Sequence, residues 1–442
     1  MRRLLFFSAL LTFQVAQAQY TWTNVAAAPY NASKQDGVFF LNKDTGWVVN
    51  GSGRIYKTLN GGTTWIQQRN SPGTYFRAIA FANEQVGFAG NVGMNYFPNV
   101  TDPSPLYKTV DGGNSWVDVS ASISGVVPTG ICAIQAVSSN VIYAGGRVGG
   151  PPVIIKSTDG GNTWVGTDLS AQCGMILDIH FHSPDTGYVF AGSNVDVASS
   201  SASVLRTTDG GQTWTVVYTS PRSYELTWKA WFPSHQVGYV TIQSYDSNTS
   251  QRYIAKTTDG GVTWNELPLI NSAVREFGVG FINENVGWVG GESTGYQTLD
   301  GGQTWTPKNI GQYANKFTIV QNTDGTKTAY AVGLRLFKMT TANLTAMDQP
   351  SAESIKALVY PNPAQSGAYV SMSLEKIKTN IISAELLSMD GKRTELLFKG
   401  FYRGTHESPF MFPLPNVEAG NYLIRFTDEA GNMYTEKLLV NR

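Results

Sequence analysis

The acidic residues most regularly placed for chemistry lie in six copies of one nine-residue stretch: KTLNGGTTW (57–65), KTVDGGNSW (108–116), KSTDGGNTW (156–164), RTTDGGQTW (206–214), KTTDGGVTW (256–264) and QTLDGGQTW (297–305). Asp111, Asp159, Asp209, Asp259 and Asp300 each precede a Gly-Gly pair, and Asn60 takes their place in the first copy. Positioned carboxylates serve as general acids and bases, but this pattern argues for turns. A short carboxylate accepts hydrogen bonds from turn N–H groups, and glycine reaches φ > 0 at no steric cost. Asn60 keeps an acceptor oxygen yet cannot act as an acid or base. Six groups distributed around a ring of strands cannot converge on one substrate either. These six residues are therefore expected to be structural.

Other reactive side chains are sparse. His180 and His182 share one side of a strand at i,i+2, a spacing a metal could use, but no cysteine, further histidine or carboxylate cluster completes the set in sequence. Neither a metal nor a cofactor is expected. The chain has no Cys–His arrangement and no Walker loop. Asp36 and Asp178 on strands, with Glu225 and Glu276 near loops, leave a facing carboxylate pair of glycosidase type open.

The elements that must position these groups are short strands. Upstream of the boxes recurs an apolar strand, a polar turn, then Gly-aromatic and a second strand, as in FLNKDTGWVVNG (40–51), FANEQVGFAGN (81–91) and FINENVGWVGG (281–291). Each unit reads as four antiparallel strands, and the box tryptophans at 65, 116, 164, 214, 264 and 305 set a period of 41–51 residues. That is a propeller blade. Residues 316–340 supply three strands of a seventh blade, and YTWTNV (20–25) matches the strand that leaves each box. An N-terminal strand that completes the last blade removes an open sheet edge. The expected fold is all-β: a seven-bladed propeller over 19–345 followed, after a polar linker at 346–356, by a small Ig-like β-sandwich over 357–442.

The N-terminus reads as a signal peptide over residues 1–18: Arg2-Arg3, an apolar run from Leu4 to Phe13, and cleavage near Ala18. No later stretch is long and apolar enough for a transmembrane helix. Charged residues are only 14% of the chain, and 32 basic against 32 acidic residues offer no field for nucleic acid or anionic lipid. Cys132 and Cys173 fall near the starts of inner strands in neighbouring blades, where either one disulfide or two buried thiols would fit.

The boxes resemble the Asp-box (BNR) repeats of sialidases, sortilin-type receptors and xyloglucan-cleaving hydrolases. Their Gly-aromatic spacing is most similar to propellers of the photosystem II stability/assembly factor type. The resemblance covers about residues 20–345 and implies fold more than function. Sialidases would carry an Arg-Ile-Pro run; Phe76-Arg77-Ala78-Ile79 lacks its proline. The tail, through Tyr360-Pro361-Asn362-Pro363, Asp390-Gly391-Lys392, Gly420-Asn421-Tyr422 and Lys437-Leu438-Leu439-Val440, resembles the sorting domain of the Bacteroidetes type IX secretion system. That implies the type IX machinery as partner and a secreted or outer-membrane surface location.

A ligand is expected on the face opposite the Gly-Gly turns. Loops and inner-strand starts there collect Asp36, Tyr75, Arg77, Tyr224, Trp228, Lys229, Arg275, Phe277 and Lys316, aromatics interleaved with charges that suit a sugar ring or a peptide. The functional expectation is non-catalytic binding of an extracellular glycan or protein; the alternative is a glycoside hydrolase, sialidase- or xyloglucanase-like.

Overall fold

The computed structural model describes residues 20–32, 35–94, 96–272 and 275–341, and in the tail 356–360, 364–367, 369–375, 381–388, 394–402, 410–428 and 433–441. The expected signal peptide and nearly all of the linker lie outside the described residues. The chain divides into two compact units, Met1–Thr345 and Ala346–Arg442.

The first unit is a ring of seven antiparallel sheets, each built outward from an inner strand: Gln35–Phe40, Phe76–Phe81, Ala133–Ala136, Met175–Phe181, Glu225–Trp231, Glu276–Phe281 and Lys316–Gln321 for blades one to seven. Thr23–Asn24 pairs with Phe337 and Lys338, so this N-terminal segment supplies the outer strand of blade seven. Trp22 beside it is 7% exposed and meets Trp288 and Phe317 edge-on, with ring centroids 5.3 and 5.8 Å apart. Blade three departs from the four-strand pattern: Ile123–Gly125 adds a fifth strand, parallel to Trp164–Asp168.

Seven apolar clusters fill the seven gaps between blades. The aromatic of the second strand, which follows glycine in most blades but Ile142 in blade three and Ala329 in blade seven, builds several of them. Trp47, Tyr143, Tyr239 and Tyr330 stack on the last phenylalanine of the next inner strand (Phe81, Phe181, Phe281 and Phe40) with centroids 3.6–3.8 Å apart. Where the inner strand ends in phenylalanine, glycine is needed there: a Cβ on Gly46 would sit 2.4 Å from the Phe40 ring.

The boxes are joints within and between blades. In blade five the Thr257 hydroxyl donates to Asp259 Oδ1 at 2.8 Å and accepts the Gly261 N–H at 2.9 Å; Thr263 adds its N–H and hydroxyl to the same carboxylate. Asn60 keeps the pattern with one polarity reversed, its Nδ2 donating to Thr64 Oγ1 at 2.9 Å. The first glycine of each box donates to a carbonyl of the hairpin after its own inner strand, as Gly210 does to Asp185. The residue that opens the box reaches the next blade: Lys57, Lys156 and Lys256 donate to the carbonyls of Gly112, Gly210 and Gly301 at 2.9–3.0 Å. Each ammonium also lies 5.1–5.3 Å from the centroid of its blade's second-strand aromatic ring. Lys338 and Tyr330 make the same reach from blade seven to Gly61 and Lys43 of blade one.

The second unit pairs a three-stranded sheet (Lys356–Tyr360, Tyr369–Glu375, Phe410–Pro413) with a five-stranded one, and Phe412, Ile424, Phe426 and Leu438 sit in its core. Among the described residues it has eight strands, the first beginning at Lys356, inside the expected linker.

Candidate ligand-binding site

Five inner strands carry the same irregularity. The ladder to the second strand slips between Gln35 and Gly37, Phe76 and Ala78, Ile176 and Asp178, Thr227 and Ala230, and Glu276 and Val279. Asp36, Arg77, Leu177, Trp228 with Lys229, and Phe277 with Gly278 therefore fall on bulges, which re-aim side chains and tighten the local twist. Blades three and seven run in regular register there. Phe277 is in strand, but its side chain lies outside the described residues.

The re-aimed side chains interlock in a buried network near the axis. Asp36 accepts the Tyr75 hydroxyl at 2.6 Å and the Asn315 Nδ2 at 3.1 Å, and pairs with Arg77 Nη1 at 3.6 Å. Asn315 Oδ1 accepts Trp228 Nε1 at 2.8 Å, and the Arg77 guanidinium lies 4.8 Å from the Trp228 ring centroid. All five are buried. Burial, then the neighbouring Asp36 carboxylate, pushes the Tyr75 phenol far up. Trp228 is thus packed into this plug, its ring occupied by Arg77.

Around the channel Asp178 faces two ammonium groups, Lys316 Nζ at 3.3 Å and Lys229 Nζ at 3.7 Å, and accepts the Ala230 N–H at 3.2 Å. Burial alone would raise its carboxyl, but the two lysines hold it below the usual range. Burial pulls Lys229 down to about 8 against the opposing pull of Asp178. The channel encloses a cavity of about 230 Å3.

The rim of the upper face is more open. Tyr224 and Arg275 are exposed; Arg275 pairs with Glu292 at 2.9 Å and approaches the Tyr245 ring. The insertion after blade two's second strand brings Phe97 over Tyr75, centroids 5.3 Å apart, with Tyr96 edge-on to Phe97. Tyr224 and Tyr313, both just ahead of inner strands, have φ of 60° and 56°. Every other left-handed residue among those described is glycine.

The expected site residues thus separate into three tiers: Tyr224 and Arg275 at the rim; Asp36, Tyr75, Arg77 and Trp228 in the plug; Lys229 and Lys316 in the channel. Asn315 was missed. Asn315 stands outside the repeated motifs, and the only signal for it was a polar residue just before an inner strand. The cysteines are separate buried thiols, so the disulfide alternative is set aside: Cys132 packs with Tyr75 and Val92, Cys173 with the core between blades three and four. His180 and His182 meet at 3.2 Å beside Phe232 and His235, and burial first holds them down to about 3 and about 4. Among the described residues no group of three His, Cys, Asp or Glu could hold a metal, and no helix is long and apolar enough to cross a membrane.

The fold is that of a seven-bladed β-propeller followed by a small all-β unit. Residues 358–441 match the model described as a secretion system C-terminal sorting domain. Among solved structures the chain is similar to YCF48 from Cyanidioschyzon merolae (16% identity, 72% of this chain and 98% of that chain, TM-score 0.51). YCF48 bound to D1 peptide gives 17% identity over 73% and 96%, TM-score 0.50. The GH74 enzyme of Niastella koreensis gives 15% over 96% and 75%, TM-score 0.52. At such identities the likeness is one of fold. No curated protein matches the sequence.

Proposed function

We propose that this is an exported, non-catalytic binding propeller. It would leave the inner membrane after cleavage near Ala18 and cross the outer membrane by the type IX route, to act as a secreted or surface protein that holds a glycan or protein ligand on its upper rim. The observation that carries the reading is the pair of left-handed tyrosines. A side chain with Cβ in that region costs about 1–3 kcal/mol and persists where the position is needed. Glycine would remove the cost at Tyr224, so the ring itself is the reason for the residue. Tyr224, Phe97 and Arg275 supply exposed aromatic and cationic surface of the kind that anchors sugars and peptides. A hydrolase would need a carboxyl kept protonated to serve as acid. Asp178 is held ionised by its lysines and Asp36 is engaged by Arg77, Tyr75 and Asn315, which favours binding over hydrolysis.

The test is a screen of purified full chain against immobilised polysaccharides and peptides, followed by titration of the best partner. Tyr224→Gly should weaken binding by roughly tenfold or more, the size of an interface anchor, while the melting temperature holds or rises. Asn162→Ala, on the face of the Gly-Gly turns, should bind normally. The opposite pattern would place the ligand on the other face, and release of sugars by the unaltered protein would turn the reading to the hydrolase.

A further inference from the structure

The channel itself is asymmetric in a way the rim does not explain. Inner strands run from the upper face toward the hairpins that the Gly-Gly turns clasp. Along them the cavity-lining residues pass from buried (Gly37, Ala78, Ala133, Asp178, Lys229) to part-exposed (Phe39, Gln135, His180, Trp231, Thr318). Above the buried level the plug of Asp36, Tyr75, Arg77, Trp228 and Asn315 closes the axis. The cavity is a well with its floor toward the upper face and its opening among the Gly-Gly turns.

The floor is short of negative charge. Asp36 is engaged by Arg77, Tyr75 and Asn315, so Lys229 and Lys316 share the single carboxylate of Asp178. The Nε and Nη2 groups of Arg77 are buried with no acceptor, and an unmet charged donor is costly in a low-dielectric interior. Lys316 is part-exposed, so molecules in the channel reach this end. The walls between floor and opening are aromatic and small: Phe39 and Trp231 with Ala78 and Ala80.

We infer that the channel is a binding well for a carboxylate, entered from the face of the Gly-Gly turns, with Lys316 and Lys229 taking the charge and Phe39 and Trp231 flanking the body of the molecule. One carboxylate would balance the second lysine, and a charge-assisted hydrogen bond in a dry site is among the stronger polar contacts. This site is independent of the upper rim: it opens on the other side of the ring and uses none of the rim residues.

The experiment is calorimetric titration of the full chain with sodium benzoate, sodium glucuronate and neutral benzamide. Saturable binding of an acid at about 1 mM or tighter is expected, with benzamide inert. Preference for glucuronate would identify an acid carried on a sugar, preference for benzoate a free aromatic acid. Lys316→Gln should lose at least tenfold in affinity and Lys316→Arg should retain it, with Arg54→Gln on the exposed surface unchanged. Thr318→Trp, which narrows the well nearer its opening, should slow association. No acid binding, benzamide binding as tightly as benzoate, or unaltered affinity in a folded Lys316→Gln overturns the site; unaltered association in a folded Thr318→Trp overturns the direction of access.

Discussion

Replacing Thr257 by valine removes one hydroxyl from a blade joint at nearly constant shape. That hydroxyl makes two bonds, donating to the Asp259 carboxylate at 2.8 Å and accepting the buried Gly261 N–H at 2.9 Å. A hydrogen bond to a charged acceptor contributes about 1.5–3 kcal/mol, and a buried N–H left without acceptor costs about 1–3. The two share one atom and do not add fully, so a loss of about 2–4 kcal/mol is expected. Unfolding entropy near 2 cal/mol/K per residue makes this roughly 3–6 °C in Tm for a unit of this size. Scanning calorimetry of three variants decides the matter. Thr257→Val should fall by that amount, Thr257→Ser should stay near the parent because Ser157 fills the position in blade three, and Asp259→Asn should stay near it because Asn60 does so in blade one. If valine is tolerated as well as serine, or if Asp259→Asn is as damaging as Thr257→Val, the hydroxyl–carboxylate joint is not what holds the turn.

Trp22→Ala empties a slot between blades six and seven and should cost roughly 3–5 kcal/mol, read as a lowered melting temperature; an unchanged melt would mean the ring closes without it. The hydroxyls of Ser115 and Thr213, then backbone N–H groups, hold the Asp111 and Asp209 carboxyls down to about 2, below the ordinary 3.8. Their depressed folded values stabilise the propeller fully above about pH 4 and lose that contribution as pH falls toward 2, so an acid titration of the melting temperature should drop in that window and a flat profile would contradict it. Deleting 358–441 should leave a folded propeller retained in the periplasm, seen by cell fractionation; the truncated protein in the medium would refute a sorting role for the tail.

Ring architecture was legible because its requirements are local. Gly-Gly turns need left-handed backbone, as Gly210 and Gly211 show at φ 72° and 88°, and Trp22 announces one more use of the post-box strand beyond the six boxes. The parallel strand Ile123–Gly125 was not legible, since Ile-Ser-Gly has neither length nor alternation. Bulges at Asp36, Arg77 and Trp228 leave no mark on hydrophobic period, yet they decide whether a side chain faces solvent or a neighbouring blade. The residue types near the axis were therefore readable, but their separation into rim, plug and well was not. Likewise the lysine that opens four of the six boxes looks like any strand residue; its partner lies some fifty residues onward, at Gly112 for Lys57.

Force is the currency in which the last blade's construction matters. The strand Leu336–Thr340 lies between two partners, Lys327–Val332 on one side and Thr23–Asn24 on the other, and the chain continues from it toward the sorting unit. A pull on that tail along the strand loads both hydrogen-bonded ladders in shear at once rather than peeling them pair by pair. The joint that closes the ring is also its mechanical anchor, so tension applied through the tail would be borne by blade seven and by Thr23–Asn24 together.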